Sequence, residues 1–95
     1  MKYNFNSNTM TDADAIEVVK EYLKADSALP VEYRIFVIWK CKTIQNVKFV
    51  LGLTSPDLTY NGNGDIFELT LNGDNHEIYL DCYTKYDKQI YDLEN

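Results

Sequence analysis

The sequence predicts an α+β domain in which an N-terminal amphipathic helix packs on a four-stranded antiparallel β-meander, closed by a short C-terminal helix or tail. Three observations predict it. Apolar residues recur at helical spacing between Asp12 and about Ala25. Four later stretches are rich in β-branched and aromatic residues, and most of them alternate with the period of a strand. Segments rich in Gly and Asn, one of them with a Pro, set off the last two of those stretches. Ninety-five residues suit a single domain, with residues 1–10 as an Asn-rich, flexible leader and 11–95 as the folded unit.

The helix begins at Thr11, where T-D-A-D forms a capping box with Asp14 at the third helical position and Asp12 beside the positive end of the helix dipole. Ala15, Ile16, Val19, Tyr22 and Leu23 form its apolar face. Asp14, Glu17, Glu21 and Lys24 form the opposite one, and Pro30 marks the exit.

The first strand spans Glu32 to Lys42. Strict alternation points Tyr33, Ile35, Val37, Trp39 and Cys41 one way and Arg34, Phe36, Ile38, Lys40 and Lys42 the other. The second, Val47 to Thr54, turns Val47, Phe49, Leu51 and Leu53 inward. If both odd-numbered sets share a face, the intervening loop needs an odd number of residues, about three or five. Strand three, Asp65 to Leu71, alternates Phe67, Leu69 and Leu71 with Ile66, Glu68 and Thr70. Strand four, His76 to Tyr83, alternates Ile78, Leu80 and Cys82 with Glu77, Tyr79, Asp81 and Tyr83. A two-residue turn in Asn72-Gly73-Asp74-Asn75 pairs Leu69 with Ile78 and Phe67 with Leu80. The last stretch, Thr84 to Asn95, fits a short helix through Tyr86, Ile90 and Leu93, or a tail.

One helix covers one face of such a sheet. The expected core is Ile16, Val19 and Leu23 against Val37, Trp39, Phe49, Leu51, Phe67, Leu69, Ile78 and Leu80. The other face then exposes Phe36, Ile38, Val50, Tyr79 and Tyr83, a patch that calls for a partner, a second copy or cover by the C-terminal segment. On it, Arg34, Lys40, Lys42 and Lys48 oppose Glu68, Glu77 and Asp81. Such a charge-split face orients a partner, or else it simply pairs its charges across the strands.

A net charge of −6 argues against direct binding to nucleic acid or to an anionic membrane, both of which need cationic side chains. The acidity serves solubility or suits a basic partner. Eight tyrosines are a composition that interfaces favour. Cys41 and Cys82 form no C-x-x-C pair and lie in apolar strand patterns, where free thiols behave as small hydrophobes in a reducing cytoplasm. The first ten residues lack the apolar core of a signal peptide, and no run reaches membrane-spanning length.

No catalytic constellation emerges, so a non-enzyme is expected, without metal or cofactor. His76 lies beside a turn with no glycine-rich nucleophile elbow, and reads as a solvated turn histidine. Asn61-Gly62-Asn63-Gly64-Asp65 departs from a calcium loop: glycine is missing from the sixth position and Glu from the twelfth, which is Asn72.

The stretch W-x-C-K-T-x-Q-N, Trp39 to Asn46, and Y-L-D-x-Y, Tyr79 to Tyr83, resemble an uncharacterised family of short proteins of phages, prophages and low-GC Gram-positive bacteria. The resemblance spans about residues 12 to 90 and implies no catalytic residue. It implies an accessory protein that binds and blocks a host protein. It also directs attention to Lys42, Thr43, Gln45 and Asn46, which serve either the hairpin or a contact.

The expected function is therefore protein binding by an accessory protein of a phage or mobile element in the host cytoplasm, as an inhibitor of a bacterial defence system. The binding residues are Phe36, Ile38, Lys40, Lys42, Gln45, Asn46, Tyr79, Asp81 and Tyr83, with a host or phage protein as partner and a homodimer through the open face. The alternative is a dimer that sequesters a small nucleotide signal.

Overall fold

The computed structural model describes residues 3–25, 32–56, 66–84 and 89–93. Helix α1 (Asp12–Leu23) precedes strands β1 (Arg34–Lys42), β2 (Asn46–Thr54), β3 (Ile66–Asn72) and β4 (Glu77–Tyr83), which pair antiparallel in chain order. This is the meander that the periodicity predicts. The Asn61–Asp65 segment lies outside the described residues. Residues 89–93 form no helix and expose Ile90, Tyr91 and Leu93.

The capping box is formed as predicted. The Thr11 hydroxyl accepts from the Asp14 N–H at 3.1 Å, and the Asp14 carboxylate accepts from the Thr11 N–H at 2.9 Å. Two orphan donors at the helix start are thereby satisfied. Ala15, Val18, Val19 and Leu23 are the buried stripe of α1. They cover a sheet face carrying Ile35 of β1, Val47, Phe49 and Leu51 of β2, and Phe67, Leu69 and Leu71 of β3, all buried.

Residues 3–10, read from composition as a leader, add to this core instead. Met10 and Ser7 are buried, Tyr3 and Phe5 pack on the cluster, and the Ser7 hydroxyl donates to the Ile44 carbonyl at 3.4 Å. Apolar and aromatic side chains spaced along this Asn-rich stretch give it something to bury.

Two registers differ from the alternation. In β1, Val37 pairs with Leu51 but Trp39 pairs with Val50, so Ile38 is an extra residue in a β-bulge. Beyond it the sides exchange: Lys40 opposes Phe49 and Lys42 opposes Val47, on the helix side, while Trp39 and Cys41 move to the outer face. The cause lies in the hairpin. The Thr43 N–H donates to the Asn46 carbonyl at 2.8 Å, leaving Ile44 and Gln45 at the tip. The loop is thus even rather than odd in length, and even parity puts odd residues of β1 against even residues of β2. One bulged residue restores the match between Ile35, Val37 and the core side of β2.

In the second hairpin Leu69 pairs with Leu80, Leu71 with Ile78 and Phe67 with Cys82, two residues away from the predicted register. Four residues, Gly73 to His76, make the turn, because the Asn72 side chain accepts from the N–H groups of Asp74 (3.1 Å) and Asn75 (3.2 Å). His76 closes the turn at φ 53°, in the left-handed region. A shift of two residues preserves facing, so Ile78, Leu80 and Cys82 still point to the helix side.

Candidate functional site: the uncovered sheet face

The face opposite α1 is built in rows across the strands. Phe36, Gly52, Ile66 and Tyr83 form one row, Trp39, Val50, Glu68 and Asp81 the next, and Cys41, Lys48, Thr70 and Tyr79 a third. Six large apolar or aromatic side chains stand exposed: Phe36, Ile38, Trp39, Ile66, Tyr79 and Tyr83. No described element covers them.

Gly52 shapes this patch. It is buried, and a Cβ built there would lie 2.7 Å from Cζ of Phe36 and 3.1 Å from Cδ1 of Ile38. The missing side chain lets the Phe36 ring lie against the backbone, which is how a strand glycine admits a close neighbour.

Glu68 organises the polar centre. Its Oε2 accepts from the Tyr83 hydroxyl at 3.2 Å and pairs with Lys48 Nζ at 3.5 Å. That hydrogen bond, and then the carboxylate charge, push the Tyr83 phenol above its ordinary pKa. These links tie β4 through β3 to β2 and fix the tilt of Tyr83 within the patch.

The sequence-predicted site residues separate into three groups. Phe36, Ile38, Tyr79, Asp81 and Tyr83 share the outer face as expected. Lys40 and Lys42 do not: the bulge places them on the helix side, where Lys40 Nζ stands 5.1 Å from the Phe49 ring centroid and 3.6 Å from Asp12 Oδ1. The basic half of the expected charge split therefore shrinks to Arg34 and Lys48.

Trp39, expected in the core, is 51% exposed on the outer face, and Cys41 follows it into solvent. Trp39 and Ile66 are the patch residues that sequence reasoning missed. The unbroken apolar run Ile35 to Trp39, in which strict alternation already fails, is the one signal that pointed to an irregular strand.

Gln45 and Asn46 belong to the hairpin end. Asn46 Oδ1 accepts from the Gly73 N–H at 3.0 Å, and a Cβ at Gly73 would collide with the Gln45 carbonyl oxygen. The two turns are docked backbone to backbone, so Asn46 holds the hairpins together. Gln45 is exposed beside a cleft of about 420 Å³ that Tyr3, Phe5, Ile78 and His76 also line. Tyr3 and Phe5 are stacked there, with ring centroids 5.4 Å apart.

Among the described residues no three His, Cys, Asp or Glu side chains come together as a metal site requires, and no helix is long and apolar enough to cross a membrane. A family model matches residues 12–93, from the start of α1 through the whole sheet. The chain belongs to a family of unknown function (DUF6275). The match takes in every outer-face residue named above. No curated protein and no solved structure matches the chain.

Proposed function

We propose that this member of the family is a non-enzymatic binding protein that docks another protein on the outer face of its sheet. The observation that supports this most is the patch of Phe36, Ile38, Trp39, Ile66, Tyr79 and Tyr83 on a face that no described element covers. Aromatic side chains of this kind anchor interfaces, because they bury large area at small entropic cost. Glu68, Glu77 and Asp81 around it, with a net charge of −6, suit a partner whose contact surface is apolar with a basic rim. The resemblance to proteins of phages and prophages supplies the setting: an accessory protein acting in the host cytoplasm, its partner a component of a bacterial defence system.

Trp39 is the only tryptophan and lies in the patch, so it reports docking directly. Purified protein is titrated with candidate defence proteins, reading Trp39 emission, and compared with Phe36→Ala and Tyr83→Ala. Binding accompanied by a blue shift, weakened about tenfold or more by either substitution, supports the proposal. Binding unaffected by both variants, or a host range of defence systems indifferent to expression of the protein, rejects it.

A second reading is sequestration of a small nucleotide signal by a dimer, and the cleft lined by stacked Tyr3 and Phe5 favours it. Nucleotides that fail to raise the melting temperature at millimolar concentration remove this reading.

A further inference from the structure

The two edges of the sheet are not alike. β1 is interrupted at Ile38 by the bulge and carries Lys40 and Lys42, devices that discourage another strand from pairing. β4 has neither: its seven residues, Glu77–Tyr83, run without proline, lysine or irregularity, and nothing described pairs with its outer edge. On the helix side of that edge Ile78, Leu80 and Cys82 are only partly buried. An open groove between them and α1 is lined by Val18, Tyr22, Ile78 and Leu80. Unpaired backbone and half-covered apolar side chains occur along the same strand.

We infer that β4 pairs antiparallel with β4 of a second copy about a two-fold axis at Leu80, joining two four-stranded sheets into one of eight strands. The sequence of β4 selects this occupant and this register. A two-fold pairing that keeps the outer faces on one side must centre on a residue, because the side-chain period is two. Centring on Tyr79 sets Glu77 against Asp81, and centring on Asp81 sets two aspartates face to face; like charges directly opposite destabilise a pair, and centring on Ile78 or Cys82 pairs only three residues of the strand. Centring on Leu80 sets Tyr79 against the partner's Asp81, Glu77 against the partner's Tyr83, and Ile78 against the partner's Cys82. No acid then opposes an acid across all seven residues, and the helix side gains a continuous Ile78–Leu80–Cys82 seam.

The inference rests on the proposed function only for its use. Both outer faces lie on the same side of the joined sheet, so the patches of the two copies merge at their Tyr79 and Tyr83 edges and present a doubled docking surface. The partner copy thus contributes residues to the site.

Sedimentation from about 5 to 500 µM tests the association, and a thiol tests the register. Ile78→Cys in a Cys41→Ser background places a sulfur opposite the partner's Cys82, a cross-strand spacing that a disulfide spans. Residues 78 and 82 of one strand are too far apart to bridge. The expected results are a monomer–dimer equilibrium strengthened by salt, since Asp81 and its symmetry mate become diagonal neighbours, and a covalent dimer on oxidation. Tyr79→Glu, an exposed substitution that puts a second acid opposite the partner's Asp81 twice per dimer, weakens association about tenfold or more, while its melting temperature stays near that of the wild type at concentrations where both are monomeric.

A wild-type monomer at 500 µM overturns the inference. So does a dimer that Trp39→Ala dissociates, which would be face-to-face, because Trp39 lies on β1, across the sheet from the β4 edge. An edge dimer that binds no partner leaves the inference standing and rejects the proposed function instead. Partner binding by a strict monomer does the reverse.

Discussion

The ammonium group of Lys40 stands 5.1 Å from the centroid of the Phe49 ring, on the side of the sheet that faces the helix. A lysine there, with its neighbour Trp39 in solvent, reverses what alternation along β1 predicts. The long lysine stem covers the edge of the core while its charge reaches Asp12 at the start of α1, 3.6 Å away. Both partners of that ion pair are well exposed, so the ring contact and the stem account for most of its worth. Lys40→Ser is expected to lower stability by about 0.5–1.5 kcal/mol in urea denaturation, through lost packing and the cation–π contact. Asp12→Asn should cost less than about 0.5 kcal/mol. An Asp12 effect larger than the Lys40 effect would show that the ion pair dominates.

The bulge makes a prediction that is unusual for a strand. Deleting Ile38 leaves Val37 and Trp39 adjacent, opposite Leu51 and Val50, which is a regular ladder. The deletion is expected to fold, with Trp39 still emitting as an exposed tryptophan. Deleting Val50 from the central strand β2 inverts the facing of the residues on one side of it, and is expected to abolish the cooperative transition. A cooperative melt for the Val50 deletion and none for the Ile38 deletion would contradict the register.

The docked turns predict a steep penalty at Gly73. A methyl group there meets the Gln45 carbonyl oxygen, which is backbone and cannot rotate away, and separating the turns also breaks the N–H bond to Asn46 Oδ1. Gly73→Ala should destabilise by about 2–4 kcal/mol. Asn46→Ala, which removes only the bond, should cost about 1–2 kcal/mol. In a chain of this size each kcal/mol lowers the melting temperature by about 4–8 °C. Equal losses for the two variants would mean that the clash relaxes.

The two thiols should differ in reactivity. Cys41 is exposed on the outer face, whereas burial pushes the Cys82 thiol up, Asp81 adds to the rise, and a hydrogen bond with Tyr22 partly offsets it. Alkylation at neutral pH should therefore label Cys41 first and Cys82 only slowly. Because the Cys82 shift is upward, folding favours its protonated form. That contribution is complete below the unfolded thiol pKa and disappears as pH rises through the folded one. Dimerisation through β4 should slow Cys82 labelling further as concentration rises. Equal labelling rates at the two cysteines would argue against this placement.

The helix, the four strands and their order were legible in the sequence, and so was most of the outer face. These depend on local rules. Thr11 and Asp14 cap a helix because each finds its partner three residues away, and Phe67, Leu69 and Leu71 face one way because a strand alternates. Ile66 is the exception: its alternation with Phe67 carries the signal, yet the expected outer patch leaves it out. The leader was misread because Met10, Phe5 and Tyr3 are too few to show a period, yet each reaches the core once the sheet is present.

What only the tertiary structure decided is which side of the sheet Trp39, Lys40, Cys41 and Lys42 occupy. A hairpin of even length and a central strand with its own buried face demand opposite parities of β1, and a single extra residue satisfies both. The apolar run within β1 hints at an irregular strand but cannot say where the sides exchange, because that is set by pairing with β2. The sequence by itself therefore determined that the single helix would cover only one face. The pairing of β1 with β2 determined that Trp39 would stand on the other.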